Sequence, residues 1–419
     1  MIEQSRTALM ILYYFPPAAS GGTYRPLKFI RYLPEFGWRS IVIAPFDNPY
    51  EAEDYSLLAE IPHGTEIHRV INYPELSWHF KLMRKICLGS IYDRKMIPDR
   101  HIGFVNNAIE VGRKIIARGG IDLIFTSAPP YSIHIAGREL SRESGIPWVC
   151  DFRDPWVACP FYKPANPELD KKYREIEKSY FEQASRVISF PESRANIERE
   201  RYRDYAQKII SIDNGYDPLD FPSPLPNPPG DILRITHAGS ITRDRPVTVF
   251  LEALRKVIDS NKQFEKKLRI EFIGEARQPT RADVQRLRLE TITNFRGYLP
   301  HRETCVEIAS SNMLFMVLPN LKGASEIMPL RLFEYIYSGR PVFLIAPKGG
   351  TSEFFEKAGA GVWVSHEDES EIVRRLSEFI SDISSNRYVH NPNLDALKGY
   401  DRRTLTGHLA ELFDSLCKK

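Results

Sequence analysis

Cysteine is scarce in this chain. The five present (Cys87, Cys150, Cys159, Cys305 and Cys417) are odd in number and none forms a CxxC pair. That excludes a disulfide framework or a paired-cysteine zinc site and reads as reduced thiols in a reducing compartment, with the cytoplasm as the expected location. Long apolar runs are missing as well. The longest, such as Met313–Leu318, are of strand length, far short of the roughly 20 residues that span a bilayer. The opening places Arg6 before ALMILYYF, as a signal peptide would, but the run is short and ends in Pro16-Pro17 with no small-residue cleavage pattern before them. It reads as a buried first strand. An excess of one charge is lacking too. A net +3 over 419 residues gives no case for a nucleic-acid partner. The ten histidines contain no HExxH or other metal-ligand spacing, and no Asp-x-Asp stands at a strand end. A metal-bridged diphosphate is thereby disfavoured, and no metal or cofactor is expected.

What is present is a repeating rhythm of short apolar run, turn and amphipathic segment. Ala8–Tyr14 reads as a strand. Arg25–Phe36 follows with Leu27, Ile30 and Leu33 at helical spacing, then Gly37 as a helix stop, then Ser40–Ala44 as a second strand. Strand, helix, strand in this order is a right-handed parallel crossover. Further strands are expected at Ile121–Thr126, Trp148–Phe152, Arg186–Phe190 and Lys208–Ile212, with helices at Ser132–Ser144 and Leu169–Ala184. The stretch FPSPLPNPPG, 221–230, holds five prolines in ten residues, can form neither helix nor central strand, and reads as a linker. Beyond it the rhythm restarts, with strands expected at Ile232–His237, Leu268–Ile273, Met313–Leu318, Val342–Ile345 and Gly361–Val364. The length favours two domains, and both read as α/β units with parallel sheets. On such sheets ligands bind where the strands end, so chemistry is sought in the loops after each run.

Three of those loops carry suitable residues. Gly21-Gly22 stand before the first helix, with Arg25 and Lys28 close by. Glycines there let a backbone approach an anion, although a GG pair is as often a plain turn. After the first strand of the second half come His237-Ala238-Gly239-Ser240, then Arg243 and Arg245 at a helix entrance. Paired guanidiniums can clamp a diphosphate in bidentate fashion, or can simply be solvated. A histidine ending a strand there is more often structural. In ASEIMPLRLFEYIYSGRPVFLI, 324–345, Pro329 suits a helix start and Gly339 its end. Glu326 then precedes the helix and Glu334 lies within it. A carboxylate can accept two hydroxyl hydrogen bonds, as from the cis-diol of a ribose; the plain alternative is two surface glutamates. Trp148 and Trp156 flank DFRD and read as core residues before acceptor-stacking ones. The basic, partly apolar segment 81–100 reads equally as a contact with an anionic membrane surface and as a solvated helix.

Taken in order along most of the chain, these motifs resemble the retaining glycosyltransferases of family 4, which share the two-domain GT-B fold. Glu326 and Glu334 match that family's Glu-x7-Glu motif. FPP…GG…R at 15–25, SAPPYSIHIAGRELSRESGIPWVCDFRDPW at 127–156 and IDNGYD at 212–217 resemble its first loop, a bacterial branch of its acceptor domain and its crossing between domains. The resemblance implies two Rossmann-like domains facing a cleft: residues 1–216 for the acceptor, a linker at 217–230 and residues 231–399 for the nucleotide-sugar donor. The last helix, 400–419, would pack back on the first domain.

It implies a sugar transferase acting on a glycan or lipid-linked acceptor in surface polysaccharide assembly. Glu334 would hold the ribose hydroxyls and Glu326 the donor sugar near its reacting carbon. Arg243 or Arg245 would neutralise the diphosphate with Arg331, and Tyr298 and Leu299 would frame the base. Gly239, Leu330 and Gly22 would border the donor, and Asp151, Arg153, Asp154 and Arg25 would face the acceptor. Two departures stand out. Ile327-Met328-Pro329 replaces the Phe-Gly common after the first glutamate, and Arg153 stands where many members have histidine. Other readings of the same architecture are a nucleotide-sugar epimerase and a non-catalytic binding partner.

Overall fold

The computed structural model describes residues 5–46, 52–72, 97–228, 230, 232–241, 247–276 and 278–417. Arg243, Arg245 and residues 81–96 of the basic segment lie outside these. The chain divides into two compact units, Met1–Asn214 with Arg402–Lys419, and Gly215–Asp401.

The first unit is built on a parallel sheet of strands β1 (Arg6–Leu12), β2 (Trp38–Pro45), β3 (Glu66–Val70), β4 (Leu123–Ala128), β5 (Trp148–Phe152), β6 (Arg186–Ser189) and β7 (Ile209–Ile210), in the order β3-β2-β1-β4-β5-β6-β7. Side chains alternate across β1. Leu9, Ile11 and Tyr13 join one core with Phe104 and Ile133; Ala8, Met10 and Leu12 join another with Leu405, Leu409 and Phe413. A strand buried on both faces must be apolar throughout, which is why ALMIL lacks polar residues. The second face is covered by the final helix, Arg402–Leu416, tied down by Trp38 Nε1 donating to Asp414 Oδ1 at 3.0 Å.

The second unit holds β8 (Leu233–Ala238), β9 (Leu268–Ile273), β10 (Thr293–Gly297), β11 (Met313–Val317), β12 (Val342–Ile345) and β13 (Gly361–Val364), parallel and ordered β10-β9-β8-β11-β12-β13. In each sheet the strand order reverses direction beside its first strand, between β1 and β4 and between β8 and β11. In open α/β sheets, ligands bind at that reversal, outside the carboxyl ends of the strands. The loops after β8 and β11 are those carrying Gly239 and Glu326.

Two strands escaped the sequence reading. β3 (EIHRV) and β10 (TNFRG) are edge strands with polar residues at alternate or adjacent positions, so neither shows the apolar run that marks an interior strand. The proline-rich linker needs correction as well. The first crossing falls at Asn214/Gly215 and residues 217–230 belong to the second unit. Phe221 is buried in that unit's core, and Arg340 Nη2 donates to the carbonyl of Pro226 at 2.5 Å. Proline bars regular structure but not packing.

One buried acid makes stability pH-dependent. Glu198, on the helix Glu192–Arg201, is 3% exposed, and burial pushes its pKa up from 4.5 to about 7, against a lowering hydrogen bond from Ser189. A folded-state pKa above the unfolded value means the native state binds the proton more tightly. The contribution is therefore full below about pH 4.5 and is lost as pH rises through about 7. That interval corresponds to at most roughly 3 kcal/mol. Urea melts of the parent should weaken across this window relative to Glu198→Gln; parallel pH profiles would refute the assignment.

Candidate active site

The helix Leu330–Tyr337 starts directly after Pro329 and buries Leu332, Phe333, Tyr335 and Ile336. Glu334 shares that face and is 2% exposed, so it is not the surface glutamate of the plain reading. A carboxylate so placed needs charged partners. Its Oε2 accepts from Arg331 Nη1 at 2.5 Å, and its Oε1 from His301 Nε2 at 2.8 Å. His301 opens the helix His301–Ala309; its Nδ1 is 3.5 Å from Asp220 Oδ2, and Cys305 Sγ is 3.9 Å from its Nε2. Burial alone would pull the imidazole down, but the Glu334 carboxylate beside it reverses this and holds its pKa well above the usual value. Burial keeps Cys305 a thiol. His301, Cys305 and Glu334 bring three ligand-type atoms within 4.8 Å of one another, but the imidazolium and Arg331 already meet the carboxylate with positive charge.

The next residue on the helix braces the end of β8. Tyr335 is buried and its hydroxyl accepts from Ala238 N at 2.7 Å, just before Gly239. Gly239 has φ 138° and donates to Ile273 O at 2.8 Å. Gly274, at the end of β9, has φ 109°, and a Cβ there would meet Gly239 C and O at 2.8 Å, so the two loops touch backbone to backbone. The His237 ring lies between Phe272 and Phe315, with Nδ1 3.2 Å from Phe315 O; a carbonyl only accepts, so Nδ1 carries the hydrogen. Burial pulls its pKa to about 4, so it is neutral.

Glu326 ends a 3-10 turn, Ala324–Glu326, where Ser325 Oγ donates to Oε1 at 3.2 Å. Tyr298, following β10, is 38% exposed, and the Leu299 carbonyl accepts from Thr304 Oγ1 at 3.3 Å. Leu330 is the first residue of the Glu334 helix. The fold thus gathers Glu326, Glu334, Arg331, Leu330, Gly239, Tyr298 and Leu299 at the carboxyl end of one sheet.

In the first unit the expected acceptor residues separate into different roles. Arg25 and Asp151 form an internal pair. Both are buried, and Arg25 Nε and Nη2 donate to the two carboxylate oxygens at 3.2 and 3.1 Å. Ser127 Oγ adds a third bond to Asp151 at 2.6 Å, and Arg25 also donates to the Asp213 and Ile212 carbonyls. These internal bonds hold the loops after β1, β4 and β7 together. Arg153, partly buried, also bridges loops. Its guanidinium donates to the carbonyls of Gly22, Ala128 and Pro129, tying together the loops after β1, β4 and β5.

That explains Gly22. A Cβ there would lie 2.5 Å from Arg153 Nη1 and 2.6 Å from Tyr14 Cδ2, and Gly22 N already donates to Ser20 Oγ. The glycine leaves room for the Arg153 guanidinium and the Tyr14 ring. Asp154, one residue on, is exposed. Trp148 is fully buried and Trp156 stacks on Tyr131 at 4.9 Å, both as core residues.

With this geometry in hand, the comparisons with known proteins are specific. Residues 233–382, from β8 into the helix Glu369–Ser384, match the family model for glycosyl transferases group 1. Among curated proteins no sequence match is found. Among solved structures, the chain is similar to sucrose-phosphate synthase from Thermosynechococcus elongatus (TM-score 0.70, 16% identity, 98% of this chain and 99% of that one). It is also similar to Anabaena HepE in complex with UDP and glucose (0.65, 15%, 97% and 99%) and to an α,α-trehalose-phosphate synthase (UDP-forming) from Burkholderia vietnamiensis (0.65, 11%, 98% and 100%). At such identities the likeness is one of fold: two parallel-sheet α/β domains of the GT-B type. The group 1 match on that fold supports a glycosyltransferase, an enzyme of class EC 2.4. Among the described residues, no helix is long and apolar enough to cross a membrane.

Sequence reasoning missed His301, Asp220, Tyr335 and Gly274. Only His301 had a local signal, a histidine directly after Pro300 at a helix start. The other three acquire meaning through distant partners.

Proposed function

We propose that the chain is a retaining, family 4-type transferase that moves a sugar from a nucleotide diphosphate sugar to a glycan or lipid-linked acceptor, in surface polysaccharide assembly at the cytoplasmic face of a membrane. The observation that carries the reading is the buried Glu334, held by Arg331 and His301 beside the Glu326 loop, at the strand reversal of the group 1 domain. In this reading the second unit takes the donor: Glu334 the ribose, Glu326 the sugar, Arg331 with Arg243 and Arg245 the diphosphate, and Tyr298 and Leu299 the base. The first unit takes the acceptor, with Asp154 orienting its hydroxyl. Catalysis is electrostatic. Guanidiniums and backbone amides stabilise the departing diphosphate, and the acceptor hydroxyl's proton passes to the leaving phosphate. The UDP and glucose of the HepE complex and the UDP-forming synthase favour a nucleotide-sugar donor.

The test is a thermal-shift panel of nucleotide diphosphate sugars headed by UDP-glucose. A true donor at 100 times its dissociation constant adds about 2.7 kcal/mol of stability. Turnover of that donor is expected to survive EDTA, because cationic side chains take the role of a divalent ion. No shift from any nucleotide sugar would refute the reading, and loss with EDTA reversed by Mg²⁺ or Mn²⁺ would refute metal independence.

A further inference from the structure

The loop that carries Glu326 rests on its neighbours on both sides. Among the described residues, its backbone bonds to itself are short-range turns: Ala324 N to Leu321 O at 2.9 Å, Glu326 N to Gly323 O at 3.4 Å and Ile327 N to Ala324 O at 3.1 Å. Its shape comes from the turn after β12, where Ala346, Pro347 and Lys348 lead into Gly349 and the helix Gly350–Lys357. Both neighbours of Glu326 rest on that turn. On one side Ser325 packs against Gly349 so closely that a Cβ on residue 349 would lie 2.5 Å from Ser325 Cβ and 3.4 Å from Glu326 Oε1. Gly349 also has φ 155°, which side-chain-bearing residues rarely adopt. On the other side Thr351, fully buried, donates its hydroxyl to Ile327 O at 2.5 Å. The Gly349 amide donates to Ser352 Oγ at 3.0 Å, which secures the turn itself. The start of the loop is pinned from the turn after β13, with His366 Nε2 donating to Leu318 O at 2.7 Å.

We propose that the turn Gly349–Ser352 is a template for Glu326, and that Gly349 and Thr351 are positioning residues for the sugar of the donor rather than for its nucleotide. The inference rests on the reading of Glu326 as the donor-sugar contact. Its physical basis is that a carboxylate in a loop with two soft dihedrals per residue finds one geometry only if both flanks are held, and a displacement of about 1 Å can cost a hundredfold in rate. Glu334 stands on a helix with its own ion pairs and does not depend on this turn. The two glutamates, eight positions apart, are therefore held by separate devices, and the sugar and nucleotide ends of the site can be perturbed independently.

The experiment measures binding of UDP-glucose and of UDP to the full chain by calorimetry, for the parent, Thr351→Val, Thr351→Ser and Glu326→Gln. Thr351→Val keeps the side chain's shape and removes its hydrogen. It is expected to weaken UDP-glucose about tenfold, leaving UDP within about twofold. Thr351→Ser, which keeps the hydroxyl, should restore the parent ratio. Equal weakening of both ligands, or of neither, overturns the template when Glu326→Gln itself selectively weakens UDP-glucose. If Glu326→Gln leaves the ratio unchanged, the reading of Glu326 falls and the inference falls with it. A general loss of fold in Thr351→Val would weaken UDP as well and counts against the proposal.

Discussion

Replacing Arg25 by methionine is expected to cost the first unit about 3–5 kcal/mol, the usual loss when a buried ion pair is broken from one side. Asp151 would be left at 0% exposure with, among the described residues, Ser127 donating to it. The Asp213 and Ile212 carbonyls would lose their donor in the same step. The aliphatic packing is largely retained by methionine, so the loss is electrostatic. The double variant Arg25→Met with Asp151→Asn should recover part of it, because no isolated charge then remains. Urea denaturation of the three proteins measures this, and a loss below about 1 kcal/mol for the single variant would show that the pair is not a structural unit. Asp154→Asn is the control. Its carboxylate is exposed, and stability should change by no more than about 0.5 kcal/mol.

Glu334→Gln is expected to weaken the binding of a free nucleoside diphosphate by about 1.5–3 kcal/mol, roughly ten- to a hundredfold, through loss of charge-assisted bonds to the ribose. The change is nearly isosteric, so the helix Leu330–Tyr337 should keep its place. It also unbalances the site, since Arg331 and the His301 imidazolium would face an amide in place of a carboxylate. Part of what raises the His301 pKa is then gone. The ring should release its proton at lower pH than in the parent, which NMR titration of the imidazole can follow. Unchanged affinity for UDP and for other nucleoside diphosphates would sink the ribose assignment.

These two variants mark the boundary of what the sequence made legible. Glu334 could be singled out because its motif is local: a glutamate in a helix after Pro329, eight positions beyond another. Its partners His301 and Asp220 could not, because nothing in a linear spacing says that three helix and loop segments converge. Arg25, Arg153 and Gly22 were legible as unusual, but not the groups they touch. Charged residues next to glycines look like an anion site when burial is unknown. Once the chain is folded, the same arginines turn their donors to Asp151 and to the carbonyls of three loops. Asp154 escapes this because its side chain leaves the sheet toward solvent.

The sequence by itself determined the α/β class, most of the interior strands and the two-part organisation. Interior parallel strands must be apolar on both faces, and that constraint is written locally. It also pointed to the loop that holds Glu326 and the helix that holds Glu334. Only the tertiary structure decided the edge strands, the packing of the proline-rich stretch into the second unit, the inward turn of Arg25 and Asp151, and the seating of the Glu326 loop on Gly349 and Thr351. Each of these depends on which distant groups meet after folding. A buried charge or a close backbone contact is a property of the pair, and the energy that fixes it does not exist until both partners are in place.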